Sequence, residues 1–227
     1  MKITALAHQN RTSERAQSGF SLIELLITMT ITLVILALAF TLLAQSLNTN
    51  VREEKQASVL ADSSLGVGRM AEEIVNAGFG LKTNGIVAGD STEETIRIRA
   101  NLNALMKQTT SNTVSDRSED VEFLLATNAA GDTSLIRMDI AAGTTSILAS
   151  SVDNSDIDSD GDGDGLTLMY LDSAGTEVAP DQAVRVTVTL RVKLPQVGVP
   201  NAPGFRPAIK KALTENIVLR NASLAAY

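Results

Sequence analysis

The sequence predicts an α+β protein in which a long N-terminal helix packs on a C-terminal antiparallel β-sheet head. Three observations lead to this fold class. A helical pattern runs without a break from Phe20 to about Phe79, a period-two pattern rich in β-branched residues follows residue 80, and no proline occurs before Pro180. About sixty residues of helix at ~1.5 Å each would extend on the order of 90 Å.

The first half of the predicted helix is apolar on all sides. From Leu25 to Ala44 the chain has twenty residues without a charge, which corresponds to about 30 Å of helix and is enough to cross a bilayer core. We therefore predict a transmembrane segment at about residues 22–44. Glu24 stands just ahead of the uncharged run, and a carboxylate at the mouth of a membrane helix is costly and usually functional.

The nineteen residues before this helix form a polar leader that carries Lys2, Arg11 and Arg15. By the positive-inside rule these basic residues keep the N-terminus in the cytoplasm and place the rest of the chain in the periplasm. A secretory signal peptide would lose its apolar region at an A-x-A-like site. The run here is too long for that class of signal, and residues 44–46 are a poor site, so we expect the helix to be retained.

A plain membrane anchor would explain the apolar run, but neither Glu24 nor the position of Gly19 directly before Phe20. The order G-F-S-L-I-E at residues 19–24 resembles the class III signal of type IV pilins and pseudopilins. The resemblance implies that a prepilin peptidase cuts between Gly19 and Phe20 and methylates the new N-terminal phenylalanine. It also implies that Glu24 pairs with the N-terminal amine of a neighbouring subunit and sets the axial register during assembly.

The second half of the predicted helix is amphipathic, because Leu60, Val67, Met70 and Ile74 recur at helical spacings. Its end, R-M-A-E-E-I-V-N-A-G-F-G at residues 69–80, resembles the R-x-A-G-F helix end of PilW-like minor pilins. In physical terms the two glycines of this segment predict a left-handed C-cap that tucks the phenylalanine between them onto the head.

The remaining chain, residues 81–227, predicts a β-rich head. Strict alternation from Val184 to Val192 predicts a strand with one packed and one solvated face. The loop Pro195–Pro207 separates the last two strands, and the stretch L-T-E-N-I-V-L-R-N that follows it resembles the closing strand of the same minor-pilin group. The predicted strands are Thr95–Arg99, Val121–Ala126, Ser134–Ile140, Thr144–Leu148, Leu166–Leu171, Ala183–Leu194 and Ala212–Arg220.

The composition excludes several classes of function. The chain has a net charge of −7, and removing the leader's net +2 leaves about −9, which argues against a nucleic-acid partner. It has no cysteine, and its one histidine, His8, lies in the leader. Nucleophile–histidine pairs and zinc sites with His or Cys ligands are therefore absent from the mature chain. We predict that the protein is not an enzyme.

An acidic loop at residues 153–165 has six aspartates at near-alternating positions. Alternating aspartates with glycine at the sixth position are what a calcium loop requires. The register that starts at Asp156 fits best, and position 12 is then Thr167, where such loops have a bidentate glutamate. The alternative is a solvated acidic turn between two strands. The candidate calcium ligands are Asp156, Asp158, Asp160, Asp162 and Asp164.

The resemblance implies a structural function, that of a PilW-like minor pilin that assembles through its N-terminal helix into a type IV pilus, at an initiating or tip complex. The expected partners are other major and minor pilins, the prepilin peptidase and inner-membrane lipid. The expected location is the inner membrane, with one membrane pass and a periplasmic head, and then the pilus on the cell surface. The alternatives are a type II secretion pseudopilin and a calcium-dependent tip adhesin.

Overall fold

The described part of the chain forms one long helix and then a sheet of seven strands, in a computed structural model that describes residues 20–103, 114–157, Ser159, 161–197, Pro200 and 205–222. Two short 3₁₀ helices lie at Ala88–Asp90 and Pro180–Gln182. The long elements are α1 (Leu22–Val75), β1 (Ile96–Arg99), β2 (Asp120–Thr127), β3 (Thr133–Asp139), β4 (Thr144–Val152), β5 (Leu166–Leu171), β6 (Arg185–Leu194) and β7 (Ile209–Val218). This arrangement confirms the predicted α+β class.

The chain divides into two compact units, and the division falls within α1, after Ser46. The first unit contains the apolar part of α1. The second unit, from Leu47 onward, contains the amphipathic part of α1 and all seven strands. A fragment that begins at Leu47 therefore has the whole hydrophobic core.

The α-helix ends at Val75, a few residues before the predicted end at Phe79. The amides of Asn76 and Ala77 bond to carbonyls only three residues back, at 3.1 and 3.0 Å, so the last turn tightens into 3₁₀ geometry. Gly78 then turns left-handed with φ of 76°, as a C-cap glycine does. Phe79 is half-buried.

All strand pairs of the sheet are antiparallel, and the order is β1-β2-β3-β4-β6-β5 with β7 beside β6. Two strands share one edge of β6: β5 pairs along Arg185–Leu190, and β4 meets β6 at Val192. On the other edge, β7 pairs with all ten residues of β6. All seven predicted strands are present, with end points shifted by a few residues.

The core lies between the amphipathic part of α1 and one face of the sheet. The helix places Val67, Met70 and Ile74 in the core, as its periodicity predicts. Helix and sheet approach closely at Gly66, where an added Cβ would stand 2.8 Å from the carbonyl oxygen of Leu148 in β4. From β6 the core receives alternate residues, which confirms the predicted packed face: Val186, Val188, Leu190, Val192 and Leu194.

A backbone clasp joins the end of α1 to β1. The amide of Gly78 donates to the carbonyl of Arg99 at 2.9 Å, and the amide of Arg99 donates to the carbonyl of Gly85 at 2.7 Å. Gly85 has φ of 82°, and a Cβ there would fall on the Gly78 nitrogen and on the Arg99 oxygen. The close approach of three backbone segments therefore requires glycine at residue 85.

Ion pairs with largely buried carboxylates link β1 to β2 at the edge of the sheet and α1 to β3. Asp120 accepts hydrogen bonds from Arg97 at 2.8 Å and from Arg99 at 2.9 Å. Burial by itself would raise the pKa of Asp120, but these two arginines outweigh it and hold that pKa below its usual value. The same bond to Asp120 raises the pKa of Arg97. In a second cluster, Glu73 of α1 pairs with Arg137 of β3 at 2.9 Å, with both side chains largely buried.

Candidate functional site

The candidate processing and assembly site is the start of α1. Gly19 lies outside the described residues. Phe20 precedes the helix and has 83% of its surface exposed, and the carbonyl of Ser21 accepts the amide of Leu25 at 3.1 Å, which closes the first helical turn. Glu24 lies in that first turn, where a negative charge is favoured by the positive end of the helix dipole. Phe20 lies four residues before Glu24 and just outside the helix.

The apolar part of α1 is exposed throughout, since every residue from Phe20 to Asn50 has an accessible side chain. Its most apolar 18-residue window has a mean hydropathy of 2.6, and none of that window is buried. Helix length and composition are sufficient to cross a membrane. A helix that is apolar all round and has no core around it requires another apolar environment, which a lipid bilayer or other helices supply.

Threonine hydroxyls in this part of α1 bond to their own helix. Thr28 donates to the carbonyl of Leu25, and Thr30, Thr32 and Thr41 each donate to the carbonyl four residues back, at 2.6–2.9 Å. Such bonds satisfy the hydroxyl where water is absent. The polar side chains between Leu25 and Ala44 are therefore compatible with an apolar surrounding.

The family model for the prokaryotic N-terminal methylation motif matches residues 15–42. The chain carries a type IV prepilin signal. The matched range contains the glycine–phenylalanine junction, Glu24 and most of the apolar run. No curated protein and no solved structure matches the chain.

The prepilin signal implies processing by a prepilin peptidase and assembly with other pilins. It supports a type IV pilin-like or pseudopilin role, and proteins that carry the signal are structural rather than catalytic. The signal and the apolar helix together fit membrane anchoring.

The acidic loop between β4 and β5 is tied to the sheet by a lysine that is distant in sequence. Asp153 is largely buried and pairs with Lys210 of β7 at 2.9 Å, and Lys210 also donates to Ser155 at 2.9 Å. The segment around the loop has no basic residue between Met138 and Val184. Sequence reasoning missed this counterion, because only the pairing of β6 with β7 brings Lys210 to the loop.

The described residues of the loop use their carboxylates to fold it. Asp156 accepts the amides of Ser159 at 2.6 Å and Gly161 at 3.1 Å, and Asp164 accepts the amide of Ile157 at 2.6 Å. Asp158 and Asp160 lie outside the described residues, and Asp162 has an interaction of its own. Within the described part of the chain, no three acidic, histidine or cysteine residues stand close enough to hold a metal ion. Calcium binding therefore stays a prediction.

Calcium should raise the melting temperature of a fragment that begins at Leu47, because an ion that binds only the folded loop stabilises it by mass action. The missing acid at Thr167 points to a weak site, with a dissociation constant on the order of 10⁻⁴–10⁻³ M. The measurement is a thermal melt in millimolar calcium and in chelator. Asp158→Ala combined with Asp160→Ala should remove the rise, whereas Glu53→Ala with Glu54→Ala, which removes equal charge from α1, should keep it. Identical melts with and without calcium would leave a solvated acidic turn.

Proposed function

We propose that this protein is a PilW-like minor pilin, which is inserted in the inner membrane by α1 and then built into a type IV pilus, in the complex that initiates the fibre or forms its tip. The observation that carries the proposal is the prepilin signal at residues 15–42, followed by a helix whose apolar part is not buried by any described residue. The resemblance of residues 69–80 and 213–221 to minor pilins supports the finer assignment.

The head supports a structural role. Its core is formed by α1 and by apolar side chains of the sheet, and largely buried carboxylates form ion pairs such as Asp120 with Arg97 and Glu73 with Arg137. These groups fasten strands to each other and the helix to the sheet. A head held together in this way suits packing against neighbouring subunits.

Cleavage should occur between Gly19 and Phe20, and Gly19→Arg should leave the precursor uncut, because the resemblance implies that the peptidase accepts only a small residue there. Mass spectrometry of the mature protein should show methylated Phe20 followed by Ser21. A Gly19→Ala variant serves as the control, since it keeps a small residue at the cleavage site. A mature chain that starts at Met1, or after Ala44, would contradict the pilin assignment.

Deletion of the gene separates the proposed function from its alternatives. Loss of surface pili with intact protein secretion is the result expected for a pilus minor pilin. Loss of secretion with intact pili would assign the chain to a type II secretion system. Normal pili with lost surface attachment would favour a tip adhesin.

A further inference from the structure

A groove runs between the second half of α1 and strand β7. It consists of a cavity of about 220 Å³ and one of about 480 Å³, which meet at Gly68 and Glu215. We call it the α1–β7 groove. Its walls are formed by one side of the helix and by strand β7 with the residues just after it, and they include Ser64, Gly68, Ala71, Leu213, Glu215 and Arg220.

One wall of the groove is an open strand edge. Among the described residues, β7 pairs with β6 and with no other strand. With ten residues, β7 is longer than most strands in globular proteins, which have about 5–6. Its outer edge presents backbone donors and acceptors that a further strand would satisfy. The other end of the sheet is different, because Ile86 covers β1 by bridging to Ile98.

The inner face of β7 is also incompletely covered. Val188 and Leu190 of β6 are fully buried, whereas Glu215, which stands beside Val188, is exposed, and Leu213, beside Leu190, is half-buried. In the part of the chain that the structure describes, no basic group lies within ion-pair distance of Glu215. The Glu215 carboxylate thus stands at a core-facing position beside open space, in the same cavity as Arg220 but not in an ion pair with it.

The helix wall of the groove contains a row of small side chains, beside which lie Val67, Glu72, Val75 and Asn76. Ser64, Gly68 and Ala71 follow each other at spacings of four and three residues, so they lie on one side of α1. A Cβ added at Gly68 would have no heavy atom within 4 Å. The helix therefore leaves room beside β7 for another chain segment.

We propose that the α1–β7 groove receives an extended segment of another pilin subunit, which adds an eighth strand to the sheet beside β7. The proposal rests on the proposed function, because it takes its partner from pilus assembly. The open edge selects an extended backbone, as in other cases of strand addition. Opposite the small residues of α1, the inserted strand is expected to carry small apolar side chains. Opposite Glu215, it is expected to carry a basic side chain.

The charges on the inner face of β7 make this pairing selective. Lys211 and Glu215 both point toward the helix side, since their partners Val192 and Val188 do. Inward charges on an edge strand discourage pairing with an unmatched strand. A strand with complementary charges satisfies them, so the same residues that exclude other partners admit the correct one.

The first experiment fills the groove in the full-length protein expressed in its own host. Gly68→Leu should lower incorporation into pili by about tenfold or more, while cleavage at Gly19 stays complete. Gly68→Ala and Gly89→Leu are the controls: the first adds only a methyl group in the groove, and the second adds the same side chain at another open glycine. Both should assemble as wild type does. Normal assembly of Gly68→Leu would overturn the proposal and leave the pilin assignment intact.

The second experiment identifies the occupant directly. A photo-crosslinking amino acid at Thr214, on the exposed edge strand, should form an adduct in assembled pili with the head of another pilin, identified by mass spectrometry. An adduct only with a partner's N-terminal helix, or no adduct in assembled pili, would overturn strand addition. The crosslinking result tests strand addition by itself, so it is decisive even if Gly68→Leu lowers the melting temperature of the head. Failure of the wild-type chain to enter pili at all would instead contradict the proposed function.

Discussion

The variant Glu24→Ala should be cleaved normally at Gly19 and yet fail to enter pili, with incorporation reduced a hundredfold or more. The resemblance to pilins implies that the Glu24 carboxylate pairs with the N-terminal amine of a neighbour inside the assembled helices. Removal of one partner from a buried ion pair costs about 3–5 kcal/mol, because the remaining charge is left uncompensated. Each ~1.4 kcal/mol corresponds to a factor of ten in an equilibrium constant. Immunoblots of sheared pili and of whole cells measure incorporation and expression.

Two control variants isolate the role of the Glu24 charge. Glu53→Ala removes an exposed acid from the same helix outside the uncharged run, so it should assemble as wild type does. Glu24→Asp keeps the charge on a shorter side chain and should retain part of the incorporation. If Glu24→Ala were piliated normally at normal expression, the carboxylate would have no part in assembly.

The variant Gly85→Ala should unfold the head at physiological temperature or lower its free energy of unfolding by about 4 kcal/mol or more. Gly85 has φ of 82°, a left-handed backbone conformation that residues with a Cβ disfavour. In addition, the new Cβ would fall on backbone atoms of Gly78 and Arg99, and backbone atoms have no rotamer with which to move aside. Urea unfolding of a fragment that begins at Leu47 measures the change.

Gly131→Ala is the matched control for this prediction. Gly131 has φ of 86°, nearly the same as Gly85, but a Cβ there meets no heavy atom within 4 Å. This variant should lose only the conformational part, about 1–2 kcal/mol. If the two variants were equally stable, the clasp between the end of α1 and β1 would contribute nothing beyond backbone conformation.

Most of the fold could be predicted from local patterns. Strand β5 occurs at the predicted residues, and the alternation in β6 predicted its packed face, because both signals depend only on neighbouring residues. The lateral order of the strands could not be predicted. The placement of β7 beside β6, and of β4 and β5 on the same edge of β6, depends on contacts between residues far apart in the chain.

The candidate sites also differ in whether neighbouring residues alone are enough to predict them. The signal around Phe20 and Glu24 is contiguous, so the sequence alone was sufficient to locate it. The counterion of Asp153 was not predictable, because Lys210 reaches the loop only through the pairing of β7. The clasp at Gly85 was missed for a similar reason: three segments meet there, and the sequence shows only a glycine after Asn84.

The threonine hydroxyls of α1 bear on the transfer from bilayer to filament that the proposed function requires. Each of the four bonds runs to a carbonyl of the same helix, so none of them has to be broken when the surroundings change. Moving this helix from lipid into a bundle of other helices is then a transfer between two apolar solvents. In the proposed assembly, the main change for this helix is therefore the exchange of van der Waals contacts with lipid for contacts with other helices.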